Sequence, residues 1–168
     1  MNNWTKYKET MNKDQNQVYT LASQGDVETL KSLGLGKTQI DLKNHKGYSL
    51  LMLAAYNGHQ ELVQHLLDLG ADTNSVDAAG NSILMGVAFK GHTEIARLLL
   101  KYRASATYAN PKNQTALAFA QMFGRTKTVK LLKSYQNQPE TFGILDVIKA
   151  WSSIFNQPNL IKEESSNE

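Results

Sequence analysis

The sequence predicts an all-α solenoid of four helix-turn-helix repeats, closed by capping helices at its N- and C-terminal ends. Gly25, Gly58, Gly91 and Gly124 stand at a constant interval of 33 residues, the mark of one supersecondary unit copied in tandem. About a dozen further positions hold the same register through three successive units. Within each unit the apolar residues recur at helical spacing.

The chain opens with an expected N-terminal cap over residues 1–13. Trp4, Tyr7, Met11 and Val18 fall close to a helical stripe with polar residues between them, and the open apolar end of a stack must be covered. Repeat one, 14–43, is degenerate but keeps the outline through Leu21, Ala22, Gly25, Asp26, Glu28 and Leu30. Its last part, Gly34-Leu35-Gly36-Lys37-Thr38, imitates the end of a phosphate loop. Lys31 occupies the place of the leading glycine and no strand is expected before it, so the segment reads as the connector to repeat two.

Repeats two to four span 44–76, 77–109 and 110–135. Asn44, Asp77 and Asn110 open them, and Gly47, Gly80 and Asn113 follow three residues later. Asx followed by Gly favours a tight turn, because the Asx side chain bonds nearby backbone and Gly accepts positive φ. Ser49, Ser82 and Thr115 are N-cap types for a first helix, which Leu51, Leu84 and Leu117 then line. Gly58 and its equivalents stop that helix in a left-handed turn. A second helix follows, with Glu61 or Glu94 in its first turn, where the macrodipole favours an anion. Leu62, Val63, Leu66 and Leu67 recur as Ile95, Ala96, Leu99 and Leu100, then as Thr128, Val129, Leu132 and Lys133.

These motifs resemble those of ankyrin repeat proteins. The family's first-helix pattern T-P-L-H-x-A is matched by Ser49-Leu50-Leu51-Met52-Leu53-Ala54 and by Ser82-Ile83-Leu84-Met85-Gly86-Val87. Gly58-His59-Gln60-Glu61-Leu62-Val63 and Gly91-His92-Thr93-Glu94-Ile95-Ala96 are close to its G-H-x-E-I-V. The family's proline is absent, and its histidine is replaced by Met52, Met85 or Ala118, so apolar packing is expected in place of that histidine's hydrogen bonds. The strings LLMLAAYNGH, FKGH and MFGR look most like small single-domain bacterial ankyrin proteins. The resemblance implies a non-catalytic protein-binding module.

The repeats are followed by an expected C-terminal capping helix within 136–158. Pro139 precedes Phe142, Leu145, Ile148, Trp151 and Phe155, an amphipathic pattern, and Asn156-Gln157-Pro158 stops it. A partner-binding or membrane-lying helix is the other reading, and Lys149 as its one added cation argues against the membrane. Residues 159–168 read as a disordered tail. The 168 residues hold no cysteine, which excludes a disulfide framework, a thiolate metal site and a thiol nucleophile. No apolar run resembles a signal peptide or a membrane span. The expectation is a soluble cytoplasmic protein, or a periplasmic one if its partner is an exported enzyme.

The histidines His45, His59, His65 and His92 lack motif spacing for zinc, and His59 and His92 share one repeat slot that gives them a structural role. Asp26, Glu28, Glu61 and Glu94 are explained as helix-start anions. No catalytic constellation stands out, so neither enzyme activity nor a cofactor is expected. The net charge is +3. The basic cluster Arg125, Lys127, Lys130 and Lys133 reads as a solvated outer face, narrower than a nucleic-acid footprint.

Binding residues are then those that stacking leaves over. At the turn tips these are Lys46 and Tyr48, Asn81 and Gln114, with His45, Ala78, Ala79, Pro111 and Lys112 beside them. On the first-helix face they are Leu53, Tyr56 and Asn57, then Phe89 and Lys90, then Phe119, Met122 and Phe123. Tyr56, Phe89 and Met122 share one slot and are expected to form a continuous exposed stripe, of the kind that anchors protein interfaces. Tyr102 and Tyr108 are further candidates. The expected function is a monomeric module that binds one protein partner through its concave face and turn tips, as adaptor or regulator. The alternative is an inhibitor or immunity-type protein that covers a partner enzyme's active site to protect the producing cell. A small metal-dependent enzyme is the third reading.

Overall fold

The first helix of each of repeats two to four begins at a hydroxyl cap, and two of the three end at a left-handed glycine. The computed structural model describes residues 16–136. The expected N-terminal cap (1–13), and the capping helix and tail expected past Gln136, lie outside the described residues. The described chain runs through α1 (16–24), α2 (Val27–Ser32), α3 (Lys37–Ile40), α4 (Leu50–Asn57), α5 (Gln60–Asp68), α6 (Ile83–Lys90), α7 (Thr93–Lys101), α8 (Ala116–Met122) and α9 (Thr126–Gln136). Among the described residues there is no strand. Two isolated antiparallel bridges, Val76 with Ser82 and Ala109 with Thr115, close the fingers between repeats. The architecture is the all-α helix-turn-helix solenoid that the 33-residue period predicts.

The hydroxyls of Ser49, Ser82 and Thr115 accept from the amides of Met52, Met85 and Ala118, which caps the first helices α4, α6 and α8. Such a cap contributes about 1 kcal/mol. Gly58 (φ 87°) and Gly91 (φ 85°) end α4 and α6 in the left-handed region. The phosphate-loop imitation follows helix α2, not a strand, and its Gly36 merely starts the single turn of α3.

Between helices the chain makes the same Asx turn three times. Asn44 Oδ1 accepts from the amides of Lys46 and Tyr48. Asp77 Oδ1 does so for Ala79 and Asn81, and Asn110 Oδ1 for Lys112 and Gln114. Successive turns touch: Ala78 N donates to Lys46 O at 3.1 Å. At Gly47 (φ +79°) a Cβ would stand 2.5 Å from Ala78 N, so the neighbouring finger closes onto a position that only glycine fits.

The core is shared along the stack. Leu62, Val63, Leu66 and Leu67 of α5, and Ile95, Ala96, Leu99 and Leu100 of α7, are buried. Full burial of each larger side chain is worth about 1.5–3 kcal/mol. Helices α4 and α6 bury residues nearly all round, Leu50, Leu51, Met52, Ala54 and Ala55 in α4, because each is flanked by its own second helix and by the next first helix. Their alanines let the helices approach.

The start of each second helix clasps the preceding repeat. The His59 ring lies over Gly25, with Nε2 2.8 Å from Ser23 O. The His92 ring lies over Gly58. In the last repeat Arg125 takes that place over Gly91 and its Nε donates to Phe89 O at 2.9 Å. The structural role of these histidines is therefore to join two repeats.

Two local features make measurable predictions. Arg103 holds φ 66° where its repeat equivalent Gly70 holds φ 85°. A left-handed non-glycine residue costs roughly 1–2 kcal/mol, and glycine loses roughly 0.5–1 kcal/mol in unfolded-state entropy. Urea unfolding should therefore find Arg103→Gly more stable by about 0.5 kcal/mol. Gly47→Ala should be less stable by about 2 kcal/mol or more, since the same φ penalty is joined by a backbone clash. On the outer helices, Tyr102 OH donates to Asp68 Oδ1, which also accepts from Gln64 Nε2 at 2.8 Å. The Tyr102 hydroxyl, then Gln64, hold the Asp68 carboxyl below its ordinary 3.8. A lowered folded value means that this stabilisation is complete above pH 3.8 and is lost as pH falls through the folded value. Tyr102→Phe should flatten that part of the acid-denaturation curve and leave neutral-pH unfolding cooperative.

Candidate functional site

Among the described residues no element covers one side of the first helices, and the residue types there are unusual for a solvated face. Tyr48 of the turn, Met52, Leu53 and Tyr56 of α4, Asn81, Met85, Gly86 and Phe89 between finger and α6, and Phe119 of α8 line an open groove of about 260 Å³. Met52 and Met85 are buried and face the groove, so its floor is made of adaptable thioether chains. Gly86 matters for its missing side chain. A Cβ there would stand 3.3 Å from Tyr56 Cδ2, so the glycine gives the Tyr56 ring room against α6.

The rings form a ladder. Tyr56 and Phe89 lie nearly parallel, centroids 6.3 Å apart with 5° between planes. Phe89 meets Phe123 edge-on, at 4.5 Å and 79°. The repeat slot predicts Met122 as the third member of the stripe, and the ring that meets Phe89 is Phe123, one residue further on. Helix α8 already ends at Met122, and Phe123 is its C-cap with ψ 14°, whereas α4 and α6 run on to Asn57 and Lys90 before their glycine caps. Met122 is 64% exposed. Tyr56 stays 39% and Phe123 42% exposed, while Phe89 between them is half-buried.

Lys90 completes the ladder. Its Nζ lies 4.6 Å from the Tyr56 ring centroid, within reach of the ring's negative face. Other expected site residues have partners within the chain. Asn57 Nδ2 donates to Leu53 O at 2.9 Å. Asn110 Nδ2 donates to Asn81 Oδ1 at 2.8 Å and to Gln114 Oε1 at 3.1 Å, so Asn81 takes part in stacking, contrary to its reading as a spare tip residue. Lys46 is exposed at its tip. Tyr108 OH donates to Gly80 O, and Tyr102 belongs to the outer-helix cluster with Asp68.

The groove thus unites Tyr48, Leu53, Tyr56, Asn81, Phe89 and Phe119 of the expected set and adds Met52, Met85 and Gly86. The repeat pattern treated the methionines as core replacements for a histidine. A long apolar residue flanking an unneeded glycine was the signal available in the sequence.

Toward the N-terminal end this face turns polar. Asn16, Tyr19, Thr20, Ser23, Gln24, Asn44, His45 and Leu53 line a second, shallower hollow, where burial pushes the Tyr19 phenol up. Among the described residues no three His, Asp or Glu side chains stand together as a metal site, and no helix is long and apolar enough to cross a membrane.

Comparison with known proteins agrees with the architecture. The family model described as ankyrin repeats (3 copies) matches residues 18–107 and 51–142. An ankyrin repeat protein of Pseudomonas aeruginosa is 46% identical over 48 residues, 29% of this chain and 28% of that protein. The Fem-1 homolog A-like protein of Mus musculus is 37% identical over 49 residues, 29% of this chain and 8% of the other. Ankyrin repeat domain-containing protein 29 of Danio rerio is 38% identical over 60 residues, 35% of this chain and 20% of the other. The chain therefore matches less than a third of the length of each of these relatives.

A double-mutant cycle checks the ladder's polar end. Tyr56→Leu and Lys90→Met, alone and together, should give a coupling of about 0.5–1 kcal/mol. A coupling of zero by thermal or urea unfolding would mean that the ammonium does not rest on the ring in solution.

Proposed function

Since the chain belongs to the ankyrin repeat family, whose repeats are protein–protein interaction modules on a generally non-catalytic fold, we propose that it docks one protein partner on the groove between repeats two and three, as an adaptor or regulator. The observation that carries this reading is the half-exposed Tyr56–Phe89–Phe123 ladder beside a methionine-floored groove. Aromatic anchors in a desolvated pocket dominate interface energetics. At about 260 Å³ the groove is smaller than the roughly 300–1,000 Å³ typical of small-molecule sites, and suits a side chain or two of a polypeptide.

The mechanism is rigidity. The clasps over Gly25, Gly58 and Gly91 and the repeated Asx turns fix the fingers before any partner arrives. Docking then loses little ordering entropy, which raises affinity for a given contact area. The turn tips, with Lys46 and Tyr48, and the exposed Met122 extend the surface on either side of the groove.

Gly86→Leu tests the surface by filling it, in a helix where leucine is a better former than glycine. Affinity capture from the native host with the wild-type chain, Gly86→Leu and the Tyr56→Ala/Phe89→Ala variant should show one partner lost in both variants, each checked for folding by circular dichroism. Folded variants that retain the partner at equal yield would sink the groove as the site. The partner's own activity with and without the chain then separates an adaptor from an inhibitor.

A further inference from the structure

Resting on that docking surface, we infer that the partner's contacting segment is an acidic stretch of polypeptide carrying a large apolar side chain. The charges on this face come from few residues. Helices α4, α6 and α8 contribute Lys90 as their one charged side chain. The tips 44–48, 77–81 and 110–114 contribute Lys46, Asp77 and Lys112, with His45 beside them.

Asp77 offsets one of the three lysine charges, and its oxygens are taken up by its own turn rather than presented to a partner. Oδ1 accepts from Ala79 N at 2.9 Å and Asn81 N at 2.8 Å, and Oδ2 from Asn81 Nδ2 at 3.2 Å. Lys46, Lys90 and Lys112 are exposed. Among the described residues the ion pairs join Lys31 to Glu28 and Glu61, and Arg97 to Glu94, and none involves these lysines. The carboxylates of Glu61, Asp68 and Glu94 belong to the second helices α5 and α7. The surface around the groove is therefore cationic, over a floor that has no anion but the self-bonded Asp77. Complementary charge steers encounter and rejects like-charged competitors, so the segment that fits is acidic around the apolar side chain that enters between Tyr56 and Phe119.

Nucleic acid fits less well. A backbone tracker needs a wider basic footprint, and a concave floor of Met52, Met85 and Leu53 receives a side chain rather than a flat row of bases. In the separate basic cluster on the last repeat, Arg125 is committed to Phe89 O.

Panning the full chain against a random displayed peptide library tests this directly. Enriched sequences should be rich in Asp and Glu around Leu, Phe or Trp. As synthetic peptides they should associate about tenfold or more slowly with Lys46→Glu/Lys90→Glu/Lys112→Glu, and should not bind Gly86→Leu. Lys46→Glu/Lys112→Glu spares the Tyr56 contact and keeps the test open if the triple variant unfolds. Neutral or basic enriched peptides that ignore charge reversal yet need Gly86 would overturn the acidic segment and leave the docking surface standing. Peptides that bind Gly86→Leu and Tyr56→Ala/Phe89→Ala unchanged would overturn the surface itself. An empty selection would overturn recognition of a short segment, and a thymidine oligonucleotide that binds more tightly than any peptide would assign the face to nucleic acid.

Discussion

Everything in this molecule depends on neighbouring repeats closing onto turn positions that have no side chain. His59 over Gly25, His92 over Gly58 and Arg125 over Gly91 are one contact made three times. At the opposite edge Gly47 meets the backbone of the next finger. A methyl group at Gly47 would meet the next finger's backbone, and at Gly25, Gly58 or Gly91 it would displace the His or Arg side chain that joins the two repeats. Stability here is thus a sum of interfaces between adjacent units rather than the property of a central core.

The same constraint produces the groove. First helices held close by Ala54, Ala55, Val87 and Ala88, all fully buried, leave their outward residues in register on one face. Tyr56 and Phe89 then meet because they occupy the same slot, and Lys90 reaches back along the face to the Tyr56 ring. A groove of this kind needs no specialised loop. It follows from whichever residues the repeats place at slots that packing does not use.

The periodic part of the fold was legible in the sequence because each signal has a local cause: an Asx turn, a hydroxyl cap, a left-handed glycine. What escaped the sequence depends on departures from the period. Phe123 joins the ladder where α8 stops one residue early, before Gly124 can act as its cap. Arg125 performs the histidine's clasp through a different group. Asn81 and Gln114 are bridged by Asn110, a cross-repeat relation that spacing within one unit does not reveal. Met52 and Met85 could be placed in the core from their pattern, but not at the floor of an open groove, since that depends on Gly86 lacking a side chain.

Gly86 and Phe89 lie in the same 33-residue unit, while Tyr56 lies in the one before. The groove is therefore a seam property, written mainly in two adjoining cassettes, with Phe119 added by the next. Duplication of 77–109 would set a second glycine beneath Phe89 and create another receptacle alongside the first. A lineage of such chains could lengthen or shorten its row of grooves by gene-level copying alone, without inventing a new side chain.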